Sequence, residues 1–210
     1  MNLSETRARV GRRTGNKTRR LLAFSLLASS VALLMTGCGG GQNSSGQVVV
    51  LETDLGDIKF ELLDNEAPKT AENFRLLAKR GYYNGMIFHR VISSFMIQGG
   101  DPNGTGTGGE TATGAPLPNE INRNSPLYQG GYRRGLIAMA NKGGRPETGS
   151  SQFFIMHGDR PLPASFTIFG RVIQGMDVVD KIAGAATTTA PDGEKSRPVT
   201  PVKMNKVYVQ

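Results

Sequence analysis

From Gln47 to the C-terminus the sequence is a succession of short apolar runs, each cut off by glycine, proline or a polar turn. Runs of about four to eight residues fit strands and are too short for the helices of a bundle. The 28 glycines and 11 prolines supply the turns that many short strands require. Residues 48–53 (VVVLET) and 58–62 (IKFEL) flank Asp54-Leu55-Gly56-Asp57 and predict a hairpin. Pro68 opens a helix with Ala71, Phe74, Leu76, Leu77 and Ala78 on one face, and Gly81 stops it. Further strands are expected over 86–92, 95–97, 135–140, 152–156, 166–172 and 202–209. A short helix is expected over 178–182, and polar loops over 101–119 and 183–198. The predicted fold is mainly β: a closed eight-stranded antiparallel barrel capped by two helices.

The charge of +8 does not describe this folded part. Residues 1–37 carry Arg7, Arg9, Arg12, Arg13, Lys17, Arg19 and Arg20 against Glu5, a net of +6, which leaves +2 for the remainder. A basic run confined to one terminus argues against a nucleic-acid partner, which needs a basic face on the fold. The run is followed by the apolar stretch Leu21 to Met35 and then by Thr36-Gly37-Cys38. This is the layout of a signal peptide, too short to span a membrane comfortably. Cys38 is the only cysteine of the chain. Its position resembles a bacterial lipobox, with Met35 where leucine is usual, and implies that Cys38 is acylated after cleavage. Residues 1–37 are thus read as a lipoprotein signal peptide and 38–46 as the lipidated cysteine with a flexible tether (GGGQNSSG). The folded domain is expected over 47–210, in the cell envelope, facing the periplasm or exterior. The membrane is reached through the lipid alone. A tether of this composition reaches roughly 15 Å, which keeps the domain near the membrane surface. The mature domain has no thiol for a disulfide, a metal site or a nucleophile.

Two motifs in the domain are false leads. Gly104-Thr105-Gly106-Thr107-Gly108-Gly109 has the spacing of a dinucleotide loop but no strand before it and no helix after it. Gly149-Ser150-Ser151-Gln152 is not the G-x-S-x-G elbow of a hydrolase. His89 and His157 are far apart in sequence and have no partner at metal-ligand spacing, so no metal or cofactor is expected.

Arg90 is more informative. On a strand through Met86–Ile92 it shares a face with Phe88 and Ile92. Phe95-Met96-Ile97-Gln98 follows closely, and Gln152-Phe153-Phe154-Ile155 repeats an amide beside aromatics. A lone guanidinium with apolar groups and uncharged amides suits an uncharged peptide ligand.

Five segments together resemble the cyclophilin family. They are Thr70-Ala71-Glu72-Asn73-Phe74, Phe88 to Asp101 (FHRVISSFMIQGGD), Gly135 to Asn141 (GLIAMAN), Gly149 to Ile155 (GSSQFFI) and Phe169-Gly170-Arg171-Val172. They occur in order and span about residues 47–209. The resemblance implies a peptidyl-prolyl cis-trans isomerase without a cofactor, acting as a monomer on unfolded or flexible proline-containing polypeptides. It assigns catalysis to Arg90, Phe95 and Gln98. It assigns substrate binding to Met96, Ala140, Asn141, Gln152, Phe154, Leu162 and Phe166. Two positions depart from many eukaryotic members: Pro161 stands where they have tryptophan and Phe166 where they have histidine. A proline-peptide binding module or holdase on the same fold is the rival reading, and retention of Arg90, Phe95, Gln98 and Phe154 favours the enzyme.

Overall fold

The hairpin expected at the start of the domain forms from β1 (Val48–Thr53) and β2 (Gly56–Leu62), paired from Val48↔Glu61 to Thr53↔Gly56. The computed structural model describes residues 46–143, 145 and 148–210. The signal segment, Cys38 and the tether up to residue 45 lie outside the described residues. No helix among the described residues is long and apolar enough to cross a membrane.

The helix α1 (Pro68–Lys79) starts with proline, whose missing N–H costs nothing in the first turn. Ala67 before it has no side-chain acceptor, and Glu120 takes that role from a distant loop. Its carboxylate accepts from Lys69 N (3.0 Å), Thr70 N (2.7 Å) and Thr70 Oγ1 (2.8 Å). A carboxylate on these unpaired N–H groups also suits the positive end of the helix dipole.

The remaining elements are β3 (Arg90–Ile92), β4 (Met96–Gly99), α2 (Pro126–Gln129), β5 (Leu136–Met139), β6 (Phe153–Met156) and β7 (Ile168–Gln174). They are followed by α3 (Met176–Ala183), β8 (Thr187–Thr189), β9 (Lys195–Pro198) and β10 (Met204–Val209). Eight strands make one antiparallel sheet in the order β10-β1-β2-β7-β5-β6-β4-β3. The closed barrel predicted from sequence is not what forms. The sheet curls into an open half-barrel, with β10 and β3 as its end strands. The expected seven-residue strand 86–92 divides instead. Arg90–Ile92 pair with β4, whereas Met86–Phe88 turn to residues 202–204, at the start of β10. There they make one isolated bridge, Ile87↔Lys203, and the bonds Phe88 N→Val202 O (3.0 Å) and Met204 N→Met86 O (2.8 Å). A ladder cannot run continuously through a segment that changes partners.

Two further expectations are corrected. A third helix, α2, arises where no element was read: Pro126 opens it, and it lasts a single turn. The loop 183–198 carries the ribbon β8–β9, a separate two-stranded sheet. Its short, polar strands lack the apolar alternation that marks a strand in sequence.

Alternation along β4 and β6 divides the interior into two clusters. Ile97, Phe153 and Ile155 belong to the large cluster under α1, with Phe60, Phe74, Tyr83 and Phe169. Met96, Phe154 and Met156 point the other way, into a smaller cluster with Tyr128, Tyr132, Leu136 and Ile168. Phe95, Leu162 and Phe166 cover this second cluster only in part, and the site opens there.

Candidate active site

Strand register places the polar groups of the site side by side. Arg90 faces Gln98 across β3–β4, and Gln98 faces Phe154 across β4–β6. Met96 is next on the same face, opposite Ile92 and Met156. These side chains form the floor of a pocket of about 620 Å³. Ala140, Asn141 and Gly143 form one wall, Leu162 and Phe166 another, and Asp192 and Glu194 stand at the Arg90 end. Every described residue assigned from the sequence to the site meets here except Gln152.

Gln152 lies behind the pocket. It is buried and lines an adjoining cleft of about 120 Å³ with Gly106, Gly108, Lys142 and Ser150. Its carboxamide is engaged at both ends: Oε1 accepts from Gln98 Nε2 (2.9 Å), and Nε2 donates to Gly108 O (2.7 Å). Gln98 Oε1 in turn accepts from Arg90 Nη1 at 3.3 Å. A chain of amides thus runs from the glycine-rich loop to the guanidinium. That loop is wound on the Asp101 carboxylate, which accepts from Asn103 N (2.9 Å), Thr105 N (2.9 Å) and Gly106 N (2.5 Å). Gly100 makes the turn possible: at φ +85° a Cβ would lie 2.3 Å from Ser151 O.

The apolar wall is fixed by hydrogen bonds outside it. Phe166 packs edge-on against Phe154, with centroids 5.4 Å apart. Its backbone is gripped at both ends by Tyr132, whose hydroxyl donates to Phe166 O (2.7 Å) and accepts from Phe166 N (3.0 Å). Burial pushes the Tyr132 phenol above its ordinary pKa, so it stays protonated and can make both bonds. Asn141 Nδ2 donates to Ser165 O at 2.8 Å and ties the opposite wall to the same loop. Phe95 lies under two guanidinium groups, with Arg90 Cζ 5.9 Å and Arg160 Cζ 5.7 Å from its ring centre. Its loop is held by His157, which donates its backbone N–H to Phe95 O (2.8 Å) and accepts from Ser94 N at Nδ1 (2.8 Å). The other histidine, His89, is buried, and desolvation lowers its pKa. Among the described residues no group of three His, Cys, Asp or Glu side chains is placed to hold a metal.

The sequence model for cyclophilin type peptidyl-prolyl cis-trans isomerases (the family that also carries the label CLD) matches residues 48–209. The chain belongs to the cyclophilin family. It is a peptidyl-prolyl cis-trans isomerase. A curated isomerase of Arabidopsis thaliana is 46% identical over 162 residues, covering 77% of this chain and 94% of the relative. One of Schizosaccharomyces pombe is 48% identical over 159 residues, covering 75% and 96%. A solved Cryptosporidium parvum cyclophilin superposes with a TM-score of 0.70 at 35% identity, covering 78% of this chain and 99% of its own. That structure was determined in the presence of the dipeptide Ala-Pro.

Sequence reasoning missed three groups of this cyclophilin's site: Tyr132, Asp192 and Glu194. Glu194 takes both Arg90 Nε (2.6 Å) and Nη2 (2.9 Å) on its carboxylate. Nothing local marks it, because it lies in a polar stretch 104 residues from Arg90. Tyr132 sits in a segment where no strand or helix was expected.

Proposed function

We propose that this cyclophilin is an envelope isomerase, anchored through acylated Cys38, that turns X–Pro bonds of exported chains at Arg90. Rotation about a peptide bond meets a barrier of roughly 18–20 kcal/mol, because the nitrogen lone pair is delocalised into the carbonyl. A catalyst must favour the twisted state, in which the lone pair returns to nitrogen. No bond to carbon or nitrogen breaks, so the work is orientation and hydrogen bonding. Met96, Phe154, Leu162 and Phe166 offer an apolar surface for a proline ring, with Phe95 beside it. The guanidinium of Arg90 carries hydrogen-bond donors and no acceptor. It can donate to the localised lone pair, a bond that the planar ground state does not offer. Gln98 and the wall at Ala140 and Asn141 would hold the substrate backbone. Gln152 serves by orienting Gln98.

The observation that carries the reading is the register of β3, β4 and β6. It sets one cation and one amide directly against the apolar recess. Arg90→Ala is expected to lower the catalysed rate about a hundredfold, by analogy with loss of a preorganised donor, while the thermal midpoint holds. A coupled protease assay on a proline peptide measures it. Unchanged turnover would remove Arg90 from the mechanism and favour the holdase reading. The anchor rests on the basic run, the apolar stretch and Cys38. A single acyl chain binds a membrane only marginally, so stable anchoring needs more than one chain on Cys38. Cell fractionation should find the wild type with membranes and Cys38→Ala released. Equal membrane retention of the two sinks the lipoprotein assignment.

A further inference from the structure

The guanidinium of Arg90 has two edges with different neighbours. Its Nη1 faces the pocket floor, 3.3 Å from Gln98 Oε1 and 3.6 Å from Met96 Sδ. Its Nε and Nη2 are held by the two oxygens of Glu194 at 2.6 and 2.9 Å. A two-point bond to a carboxylate fixes the plane of the guanidinium as well as its position.

Glu194 is itself held firmly. Gly193 N donates to Ala190 O (2.9 Å), Ala190 N to Glu194 O (2.8 Å) and Glu194 N to Asp192 Oδ1 (3.0 Å). Gly193 adopts φ +87°, the left-handed conformation this turn requires. Arg90, and less so the buried Ser196, hydrogen-bond the Glu194 carboxylate and hold its pKa below the ordinary value. The strand behind it, β9, packs against β3. The β8–β9 ribbon therefore has no part in the main sheet, yet it delivers one carboxylate to the back of one arginine.

We propose that Glu194 is a positioning residue for the isomerase. It clamps the rear edge of the Arg90 fork so that the Nη1 edge faces the proline pocket before substrate arrives. This rests on the reading of Arg90 as the catalytic cation. The side chains of Arg90 and Glu194 are 31% and 37% exposed, and ion pairs this open to water add little to stability. The gain lies in orientation. An unclamped arginine must find its reactive rotamer in every turnover, so loss of the clamp lowers the rate at the bound substrate more than it weakens binding.

The test uses the full chain and a peptide containing Ala-Pro. Exchange NMR reads the catalysed interconversion, and a titration reads Kd. Glu194→Gln keeps one acceptor but turns an NH2 towards the guanidinium, so it breaks the two-point bond. It is expected to lower the catalysed rate about tenfold, with Kd and thermal midpoint close to wild type and with the Arg90 Nε–H resonance displaced. Glu194→Asp keeps both oxygens on a shorter stem and should recover most of the rate and the resonance. A wild-type rate in Glu194→Gln, or a loss confined to Kd, overturns the proposal. If Glu194→Gln unfolds, the same rate-and-Kd split is read on Glu194→Asp, where a wild-type rate together with a displaced resonance overturns it. Arg90→Ala is measured alongside. If it retains the wild-type rate, the catalytic reading itself fails. If it is impaired while Glu194→Gln is not, the clamp alone fails.

Discussion

The two faces of β6 carry adjacent phenylalanines with different fates. Phe153 joins a sealed aromatic stack: it meets Phe74 edge-on at 5.4 Å, and Phe74 also stacks on Tyr83 at 4.6 Å. Phe74 contacts Phe60 and Phe169 as well, each at 5.4 Å, and all these rings are fully buried. Phe154 joins a cluster left unfinished. It meets Phe166 at 5.4 Å, but Phe166, Leu162 and Phe95 remain only half-buried. The sealed face concentrates apolar burial, the main source of stability. The open face forgoes part of that burial and leaves an apolar surface, which in the proposed mechanism seats a proline ring. Stability and function are thus separated by one residue of strand alternation.

The sharpest test of this separation exchanges one ring from each face for alanine. Phe74→Ala is expected to cost about 3–5 kcal/mol, because a fully buried ring leaves a cavity that its neighbours cannot fill. The remaining folded molecules should turn over normally. Phe95→Ala should cost only about 1 kcal/mol of stability, since its ring is only partly buried, but lower activity severalfold. Denaturant melts and rate measurements on the same samples read both quantities. A Phe95 variant as unstable as the Phe74 variant would erase the distinction.

The pocket rim gives a somewhat smaller effect. Pro161 is exposed beside Leu162, and it lacks the broad face and indole N–H of the tryptophan found in many relatives. Cyclosporin, the cyclic peptide that plugs many cyclophilins, should bind more weakly by about 2–3 kcal/mol, roughly thirty- to a hundredfold. Catalysis should suffer much less, because the floor of the pocket is unchanged. Inhibition titrations of the wild type and Pro161→Trp measure this. Low-nanomolar inhibition of the wild type contradicts it, as does a tryptophan variant with no gain.

The smallest effects contrast two buried tyrosines. Tyr132 makes two hydrogen bonds to the backbone of Phe166. Tyr83, in the sealed stack, has a buried hydroxyl with no partner among the described residues. Tyr132→Phe should cost about 1 kcal/mol and loosen the pocket wall, which raises KM. Tyr83→Phe removes an unsatisfied group and should be neutral or stabilise by up to about 1 kcal/mol. Thermal melts that show the two changes with the same sign would mean that the hydroxyls have similar surroundings.

Some of this was written along the chain. The alternation of Met96-Ile97-Gln98 and of Phe153-Phe154-Ile155 fixes which side chains share a face, because successive strand residues point to opposite sides whatever the strand packs against. The motifs around Arg90, Ala138 and Phe154 carry the family, and with it the sheet and the pocket floor. Pro68 and Gly81 mark the first helix through local backbone geometry. Other features depended on residues that meet only after folding. Glu120 caps α1, Tyr132 grips Phe166, and Glu194 clamps Arg90. Each is a single polar side chain on a loop or ribbon, where no periodicity announces it and where its partner lies tens of residues away. The open edge between β3 and β10 is of the same kind, because strand propensity does not determine which neighbour Met86–Phe88 will choose. Local pattern determines faces and turns. Which loop delivers a carboxylate to an arginine is decided by the packing of the whole sheet.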